Sequence, residues 1–453
     1  MVVIGSGAGA SIVEQALSHD LRVALVDRGA IGGTCLNVGC IPTKMLVFPA
    51  DRIAEIEDAK KLGITAEIKD LDFKAIMERM RSLVDNDESN MREGLKSLDG
   101  LDLYESEARF IDDYTLEIDA EQIKGEKIFI ASGARPMIPK IKGLDKVNYL
   151  TNENALELES QPKSMILIGG GYIATEFAHF FAAMGTDITI LQRGSLLVPG
   201  EEQEVSELLK KSMSRRMNIH MNTEAVEVRE KNGVVTVVGM DKKTGKKIEF
   251  SAEKILVAAG RKSNADLLKV EKTGVETDAR GYVVVNEFLE TSKQGIWAIG
   301  DAIGKAMFRH AANEEAEIAW HNSAGSEHKM EMDYSATPHA VFTIPQIASV
   351  GLREAEAKGL GGEILVGKAM YSEVAKGAAM MEDESFAKAI VDKETLQILG
   401  FHIIGPYAPI LIQEVVNAMA NKSDIYSIGR AMHIHPALSE LVVAALGNLA
   451  EGG

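Results

Sequence analysis

The chain of 453 residues contains one short pattern twice, and this repeat constrains the fold more than any other feature. In each copy an apolar run is followed by a glycine-rich turn, a helical stretch and a second apolar run. The first copy has its turn at residues 5–10 and ends at Asp27, and the second has its turn at 169–174 and ends at Gln192. This order of elements is typical of a dinucleotide-binding βαβ unit.

The glycine turns predict where two dinucleotides bind. Glycine lets the backbone approach a pyrophosphate, and the N-terminus of the helix that follows faces its negative charge. A turn that only packs a helix on a sheet is the alternative for the second copy, and the completeness of the unit disfavours it. The motif residues are Gly5, Gly7 and Ala10 in the first copy and Gly169, Gly171 and Ala174 in the second.

The residue that ends each unit predicts which ribose the site accepts. An acid such as Asp27 accepts hydrogen bonds from ribose hydroxyls and repels a 2′-phosphate. The second unit instead has neutral Gln192 followed by Arg193, which can pair with that phosphate. We therefore expect the second site to favour NADPH over NADH.

Charge and hydropathy narrow the class of protein. The formal net charge of −18 argues against nucleic acid or an anionic membrane as the main partner. No apolar run reaches the roughly 18 residues of a membrane span, and no signal peptide is recognisable at the N-terminus. We expect a soluble, cytoplasmic protein of several domains, because single cores stop growing near about 250 to 300 residues.

The two cysteines of the chain, Cys35 and Cys40, lie close together within residues 32–44. Such a pair in a protein that is not secreted is more often a redox couple or part of a metal site than a structural cross-link. Residues five apart on a regular helix have Cα atoms roughly 8 to 9 Å apart, beyond the ~7 Å limit for a disulfide. A disulfide therefore needs a distorted backbone, for which Gly39 supplies the tolerance. Two unrelated buried thiols are the alternative, and no metal is expected because no other His or Cys lies at zinc-like spacing.

Later parts of the chain predict further strands and a change of domain type. Two prolines, Pro136 and Pro139, follow a buried strand and mark a boundary. Asp301 follows another strand at the end where α/β sheets place ligand contacts, although it could simply cap the helix expected around residues 306–320. Residues 321–333 read as a linker, and the short strands and helices after residue 340 indicate an α+β domain.

A His–Glu pair near the C-terminus is the candidate acid–base group. Pro436 suits the first position of a helix, which would place His435 at the helix start. Glu440 could then hold the imidazole in one tautomer and support its protonated form. An ordinary helix cap is the alternative. The thiol pair favours the catalytic interpretation, because dithiol–disulfide interconversion needs a proton acceptor tuned near neutrality.

Over nearly its whole length the sequence resembles the flavoprotein pyridine nucleotide disulfide oxidoreductases, most specifically in the stretch G-G-T-C-L-N-V-G-C-I-P-T-K at residues 32–44. The resemblance implies an α/β fold with two Rossmann-like domains, for FAD and NAD(P), and a C-terminal α+β dimerisation domain. It implies a homodimer as well. The expected segments are 1–145 and 265–333 for FAD, 146–264 for NAD(P), and 334–453 for the interface domain.

The resemblance also implies roles for individual residues. Cys35 matches the thiol that attacks the substrate, and Cys40 matches the thiol beside the flavin that forms the charge-transfer complex. Lys44 and Glu176 match an ion pair near flavin N5, and Tyr172 matches the ring that gates the nicotinamide pocket.

The remaining expectations from the resemblance concern the partner subunit and the cofactors. His435 and Glu440 match the catalytic pair that the last domain contributes across the dimer interface. The expected cofactor contacts are Gly5, Gly7, Ala10, Asp27, Gly33, Thr34, Lys44, Ser132, Gly133, Asp301, Gly169, Gly171, Tyr172, Ala174, Gln192, Arg193, Gly260 and Arg261.

Three functions stay open at this point. The first is a dihydrolipoamide dehydrogenase-like enzyme, and the positions of His433 and His310 resemble those of histidines in that type of enzyme. The second is an NADPH-dependent reductase of a low-molecular-weight disulfide, of glutathione or mycothione reductase type. Ala174 in the second glycine motif and Arg193 after it resemble the residues of those reductases. The third is a docking subunit of a multienzyme complex. The expected substrate is a small disulfide or a lipoyl protein, with neither nucleic acid nor a membrane as partner.

Overall fold

The computed structural model describes residues 1–325 and 328–451, which form two compact units. Each unit is assembled from three separate stretches of chain. In the ranges described, every helix is too short or too polar to cross a bilayer. The division into four segments stays a prediction. The first unit comprises Met1–Thr43, Met77–Met137 and Gly260–Tyr334, and the second comprises Lys44–Ile76, Ile138–Ala259 and the chain from Ser335 onward.

The first unit is built on a five-stranded parallel sheet. Its strands are short and almost entirely apolar, as expected for strands covered on both faces. The helix Gly9–Ser18 of the first repeat buries Ile12, Val13 and Ala16 in the same core as residues of the helix Arg309–Ser323. In spatial order the strands are Ile296–Ala298, Ile128–Ile130, Val2–Ile4, Val23–Val26 and Leu101–Tyr104.

Smaller elements complete the first unit, and two long helices each have residues in both units. The smaller sheets consist of Ala108–Asp112 with Thr115–Ile118 and Glu121–Lys124, and of Ala134–Pro136 with Arg261–Ser263. Short helices cover Gly33–Asn37 and Ala265–Leu268, and the long ones cover Cys40–Asp58 and Phe73–Lys96.

The second unit contains the second repeat in a four-stranded parallel sheet. Its helix Tyr172–Ala183 is buried almost all round, and the helix Gln203–Met213 follows later in the chain. The strands in spatial order are Asn218–His220, Asp187–Leu191, Ser164–Ile168 and Lys254–Val257, with an antiparallel sheet of Thr223–Lys231, Val234–Asp241 and Lys247–Ala252.

The C-terminal part of the second unit is an antiparallel sheet with helices, which confirms the α+β prediction. The helices include Gln413–Ala420 and Glu440–Gly447, whose Leu441, Val442 and Ala445 are fully buried. The six strands in spatial order are Pro338–Val341, Ile347–Gly351, Ile398–Ile404, Phe386–Asp392, Ile364–Met370 and Ala450–Glu451, and further helices cover Glu354–Gly359, Ala375–Ala379, Ala408–Leu411 and Tyr426–Gly429.

The expected linker at residues 321–333 is partly wrong. The helix that precedes it runs over Arg309–Ser323, so the first three linker residues are helical. They are held there because Asn322 and Ser323 are buried, and Asn322 donates to the carbonyl groups of Phe288 and Met330. Residues 326 and 327 lie outside the described residues.

Candidate active site

The first glycine of each repeat is required by the fold itself. Gly5 has φ of +107°, and a Cβ there would lie 2.2 Å from the carbonyl oxygen of Ala131. Gly169 has φ of +120°, and a Cβ there would lie 2.2 Å from the carbonyl oxygen of Ala258. Both positions therefore exclude every side chain, by the same backbone contact, in the two copies.

The middle glycine of each motif is not required by the fold. A Cβ on Gly171 would meet no atom within 4 Å. A Cβ on Gly7 would meet only Arg309 Nη1 and the Cα of Gly33, both at 3.9 Å. Packing within the chain would therefore tolerate a side chain at both positions. Glycine here leaves space for a ligand to approach the backbone closely, as a dinucleotide pyrophosphate requires.

The acid that ends the first repeat is held against its own glycine turn. Asp27 Oδ2 accepts hydrogen bonds from the backbone N–H of Ser6 at 2.7 Å and from its hydroxyl at 2.6 Å. Asp27 Oδ1 accepts from the Gly29 N–H at 2.9 Å. A carboxylate has about four acceptor positions and three are used here, so Asp27 Oδ1 keeps capacity for one ribose hydroxyl.

The second repeat ends differently. Gln192 is buried, and its Nε2 donates to the carbonyl of Leu196 at 2.9 Å. A Cβ on Gly170 would lie 2.9 Å from Leu197 Cδ2 and 3.1 Å from Gln192 Cβ, so these two side chains fill the space beneath the turn. Arg193 is exposed. The Gln192 amide is thus hydrogen-bonded within the chain, and the adjacent guanidinium of Arg193 is accessible to an anionic ligand.

The turn after the strand Ile128–Ile130 contains an unsatisfied polar group. Ser132 Oγ is buried and has no hydrogen-bond partner among the described residues. It adjoins the first motif, because a Cβ on Gly5 would lie 3.3 Å from the Ser132 nitrogen. Gly133 follows with φ of +65°. Leaving a buried hydroxyl unpaired costs about 1 to 3 kcal/mol, so a ligand contact fits this position.

The cysteine segment is a broken helix. Cys35 lies in the helix Gly33–Asn37, and Cys40 begins the helix Cys40–Asp58. A Cβ on Gly39 would lie 2.7 Å from the Thr34 carbonyl oxygen and 3.3 Å from Cys35 Cα. The distortion expected between the cysteines is present. Gly39 provides close backbone approach rather than an unusual φ.

The cysteine segment starts on the first glycine motif. Gly33 has φ of +68°, and a Cβ there would lie 2.9 Å from Gly7 Cα. The Gly32 N–H donates to Ser6 Oγ at 2.8 Å, and Asn37 Nδ2 donates to the Gly33 carbonyl at 3.0 Å. The half-buried Cys35 and the exposed Cys40 are therefore carried by backbone that packs against a predicted cofactor site.

The expected Lys44–Glu176 ion pair is present in the second unit. Lys44 Nζ lies 2.7 and 2.9 Å from the two carboxylate oxygens of Glu176, which is 4% exposed. The Phe342 N–H donates to the same carboxylate at 2.9 Å. Tyr172 begins the helix that carries Glu176 and is 37% exposed, and the spacing of four residues places both on one helix face.

A second buried pair joins the same two helices and was missed from the sequence. Asp51 Oδ1 lies 2.8 Å from His179 Nε2, and both residues are buried. Asp51 is seven residues after Lys44, and His179 is three residues after Glu176. These helical spacings are the signal that could have identified the pair.

The predicted cofactor residue Asp301 is bound to Arg261 in the first unit. Arg261 Nε donates to Asp301 Oδ2 at 3.1 Å, and its Nη2 donates to the Ala134 carbonyl at 2.6 Å. Gly260, just before it, has φ of +130°. The alternative that Asp301 caps the next helix is wrong, since that helix begins at Arg309 with Phe308 as N-cap.

The C-terminal His–Glu pair forms, but not where the sequence placed it. His435 Nδ1 lies 2.8 Å from Glu440 Oε1, and the Ala437 N–H donates to Glu440 Oε2 at 3.1 Å. The hydrogen bond with His435 lowers the pKa of Glu440 below its usual value. Pro436 is not the first helical residue, because the helix covers Glu440–Gly447 and Glu440 binds back to the loop.

Comparisons with known protein families identify the family to which the chain belongs. Residues 1–316 match the family described as pyridine nucleotide-disulphide oxidoreductase, and residues 337–446 match the dimerisation domain of that family.

Individual relatives match along almost the whole chain. Mycothione reductase of Mycobacterium tuberculosis is 34% identical, over 98% of both chains. Dihydrolipoyl dehydrogenase of Bacillus subtilis is 33% identical, over 98% of this chain and 95% of the relative. The solved structure of the HOCl-induced flavoprotein disulfide reductase RclA from Escherichia coli superposes with a TM-score of 0.87 at 27% identity, over 98% of this chain and 99% of that one.

Proposed function

Because the chain belongs to the pyridine nucleotide-disulphide oxidoreductase family, we propose that it acts as a dihydrolipoamide dehydrogenase-like enzyme on a dithiol or disulfide substrate. The chain is an FAD- and NAD(P)-dependent oxidoreductase that acts on sulfur groups. One observation carries the placement of the cofactors: Gly7 and Gly171 are glycine where the packing of the chain does not demand it. FAD is assigned to the first motif and NAD(P) to the second.

The FAD site is assigned to residues of the first unit. Gly5, Gly7 and Gly33 keep the pyrophosphate path free of side chains, and Asp27 accepts from the ribose. The buried Ser132 hydroxyl supplies an unused polar contact. Bound flavin supplies two-electron transfer between the nicotinamide and the cysteine pair.

The cysteine pair and a base are assigned the sulfur chemistry. Reduction of the Cys35–Cys40 disulfide by two electrons and two protons yields two thiols, and His435 takes the proton of the Cys35 thiol. The Cys35 thiolate then attacks a substrate disulfide, forms a mixed disulfide and releases one substrate thiol, to which His435 donates a proton. Attack by Cys40 on Cys35 releases the second thiol and restores the disulfide. Oxidation of a dithiol substrate reverses these steps.

A homodimer is proposed because of the dimerisation domain and the surface beside His435. Met432 and Ile434 alternate with His433 and His435, and both are among the most exposed large apolar residues of the described chain. Apolar side chains of this size beside a functional residue are typical of a surface that a partner covers. The proposal gives each active site a His435 from the partner chain.

An NADPH-dependent reductase of a low-molecular-weight disulfide is the second candidate. The specific support is the end of the second repeat, where Arg193 is exposed and the buried Gln192 offers no negative charge. An anionic residue that would repel a 2′-phosphate is thus lacking at position 192. On this basis we propose NADPH as the preferred nicotinamide cofactor.

A substrate panel tests the proposed function. Steady-state rates are measured with lipoamide, glutathione disulfide and mycothione disulfide, each with NADH and NADPH. Turnover of lipoamide above the other disulfides supports the first candidate, and no activity toward lipoamide under any condition would eliminate it. Arg193→Ala should raise the KM for NADPH and leave that for NADH unchanged. Isolation from native extract at a size far above a dimer would instead support the docking subunit.

Two substitutions test the assigned roles. Cys40→Ser should abolish the long-wavelength absorbance band that appears when the enzyme is reduced. His435→Ala should lower turnover by roughly 10² to 10⁴, the contribution of a lost general base. His433→Ala is the matched control, because His433 is bound to Glu414 at 3.0 Å instead of to Glu440. A loss below twofold in His435→Ala would refute the role of His435.

A further inference from the structure

The start of the helix Arg309–Ser323 lies beside the first glycine motif. The guanidinium nitrogen Nη1 of Arg309 is 3.9 Å from the point where Gly7 would carry a Cβ. Both residues belong to the first unit. The guanidinium therefore reaches the open backbone that the proposed function assigns to the FAD pyrophosphate.

Arg309 differs from other arginines near this site in having no partner. Arg28 pairs with Glu107 at 3.7 Å, and Arg261 pairs with Asp301. Within residues 1–325 and 328–451, the Arg309 guanidinium has no ion pair and no hydrogen bond. Arg309 is half-buried. A guanidinium partly removed from water, facing an open strip of backbone, is suited to an anionic ligand.

We propose that Arg309 binds the pyrophosphate of FAD directly. The inference rests on the proposed function, in which FAD occupies the first motif. The pyrophosphate carries two negative charges and must bind to a chain of net charge −18, so a local cation offsets the unfavourable long-range field. The planar guanidinium fork matches two phosphate oxygens at once, whereas the glycine turn offers only backbone N–H groups.

Release of flavin from the holoenzyme provides the first test. The dissociation constant of FAD is measured by the fluorescence of free flavin after dilution, for the wild type, Arg309→Gln and Arg309→Lys. Loss of a charge-assisted contact should weaken FAD binding about 10- to 100-fold in Arg309→Gln, and less in Arg309→Lys, which keeps the charge. Raising the salt concentration should weaken binding more in the wild type than in Arg309→Gln.

Arg22→Gln is the matched control for this test. Arg22 is in the same unit and pairs with Asp102, but its side chain is 83% exposed, and it precedes the strand Val23–Val26 at the end opposite the glycine turn. The substitution Arg22→Gln removes the same charge from the chain as Arg309→Gln does, and it should leave the FAD dissociation constant within twofold of the wild type.

Competition locates the contact on the cofactor. With FAD well above its dissociation constant, the concentration of a competitor that displaces half of it depends on the ratio of the two affinities. ADP shares the pyrophosphate, so Arg309→Gln should weaken ADP and FAD alike and leave the displacing concentration of ADP unchanged. Adenosine lacks the pyrophosphate, so its displacing concentration should fall about 10- to 100-fold.

Each result has one meaning. A dissociation constant for Arg309→Gln within twofold of the wild type would overturn the inference, as would an equal fall for ADP and adenosine. If Arg309→Gln fails to fold, the same comparison is made with Arg309→Lys, which keeps the charge but loses the planar fork, and an FAD affinity within twofold of the wild type would again overturn the inference. A wild-type protein that binds no flavin would instead refute the proposed function.

Discussion

The carboxylate of Glu176 is buried, and each of its two oxygens accepts a hydrogen bond from Lys44 Nζ. Lys44→Met would leave this carboxylate with only the Phe342 N–H as donor, so we expect a loss of roughly 2 to 3 kcal/mol in the free energy of unfolding. Glu176→Gln should cost less, because the side chain of Lys44 is 37% exposed and its ammonium can turn to water.

A double-mutant cycle measures this coupling. Urea unfolding of Lys44→Met, Glu176→Gln and the double variant, with FAD in excess, should show the double variant losing less than the sum of the two. The exposed pair Lys142–Glu227 is the control, with an expected coupling below about 1 kcal/mol. Additive losses at Lys44 and Glu176 would contradict the prediction.

Gly39→Ala should disturb the cysteine segment. Its Cβ would be forced to within 2.7 Å of the Thr34 carbonyl oxygen, so the two helix segments that carry the cysteines must separate. We expect lower stability and a changed rate of disulfide reduction, measured by unfolding and by thiol titration with time. Gly94→Ala is the control, because Gly94 lies in the helix Phe73–Lys96 with nothing within 4 Å, and alanine there should stabilise by about 0.5 to 1 kcal/mol.

The second glycine motif separates folding from binding. Gly169→Ala should prevent correct folding of the second unit, because its Cβ would overlap a carbonyl oxygen. Gly171→Ala should fold with normal FAD content and circular dichroism, since its Cβ meets no atom. It should nevertheless raise the KM for the nicotinamide cofactor by tenfold or so, if that cofactor approaches the backbone there. An unchanged KM would argue against the assigned binding mode.

A pH-dependent effect is expected at Glu315. Burial raises the pKa of Glu315 above its usual value, and the hydrogen bonds from the Gly300 N–H and the Tyr334 hydroxyl offset this only in part. The ionised carboxylate therefore lowers stability at high pH, and this penalty disappears as the pH falls through the raised pKa. Tyr334→Phe removes a donor to the ionised form, so the penalty grows at high pH alone.

The free energy of unfolding of Tyr334→Phe, measured at several pH values, tests whether the loss of stability increases with pH. The variant should lose about 1 to 3 kcal/mol relative to the wild type at pH 8 and clearly less at acidic pH, once Glu315 has taken up a proton. Tyr282→Phe is the control, because the Tyr282 hydroxyl donates to the uncharged carbonyl of Arg261 at 2.9 Å. A loss in Tyr334→Phe that does not vary with pH would be inconsistent with a role of the Glu315 charge.

Features that depend on local spacing could be predicted from the sequence. The two glycine motifs and the break between Cys35 and Cys40 each follow from the pattern of one short segment, and the α+β character of the last part follows from a series of such segments. The pairing of His435 with Glu440 was also local enough to infer. In these cases one segment contains all the information that its geometry needs.

Features that depend on distant parts of the chain were missed or misplaced. Asp51 and His179 are 128 residues apart in the sequence. Arg309 lies beside Gly7, although the two residues belong to the last and the first of the three chain stretches of the first unit. The helix start was placed at Pro436 because proline suits a first helical turn, whereas Glu440 is drawn to the loop by His435 and the Ala437 N–H. A preference of a single residue type could not anticipate that pair of contacts.

The difference between the two repeats limits which residues can be exchanged between them. In the first repeat Ser6 and Asp27 are bonded to each other, and in the second Gly170 and Gln192 fill the equivalent space. Gln192→Asp would lose the bond to Leu196, and a side chain on Gly170 would collide with Leu197 as well as with Gln192. Neither the acid nor the side chain of the first repeat can therefore be placed at the matching position of the second repeat without disturbing contacts of its turn.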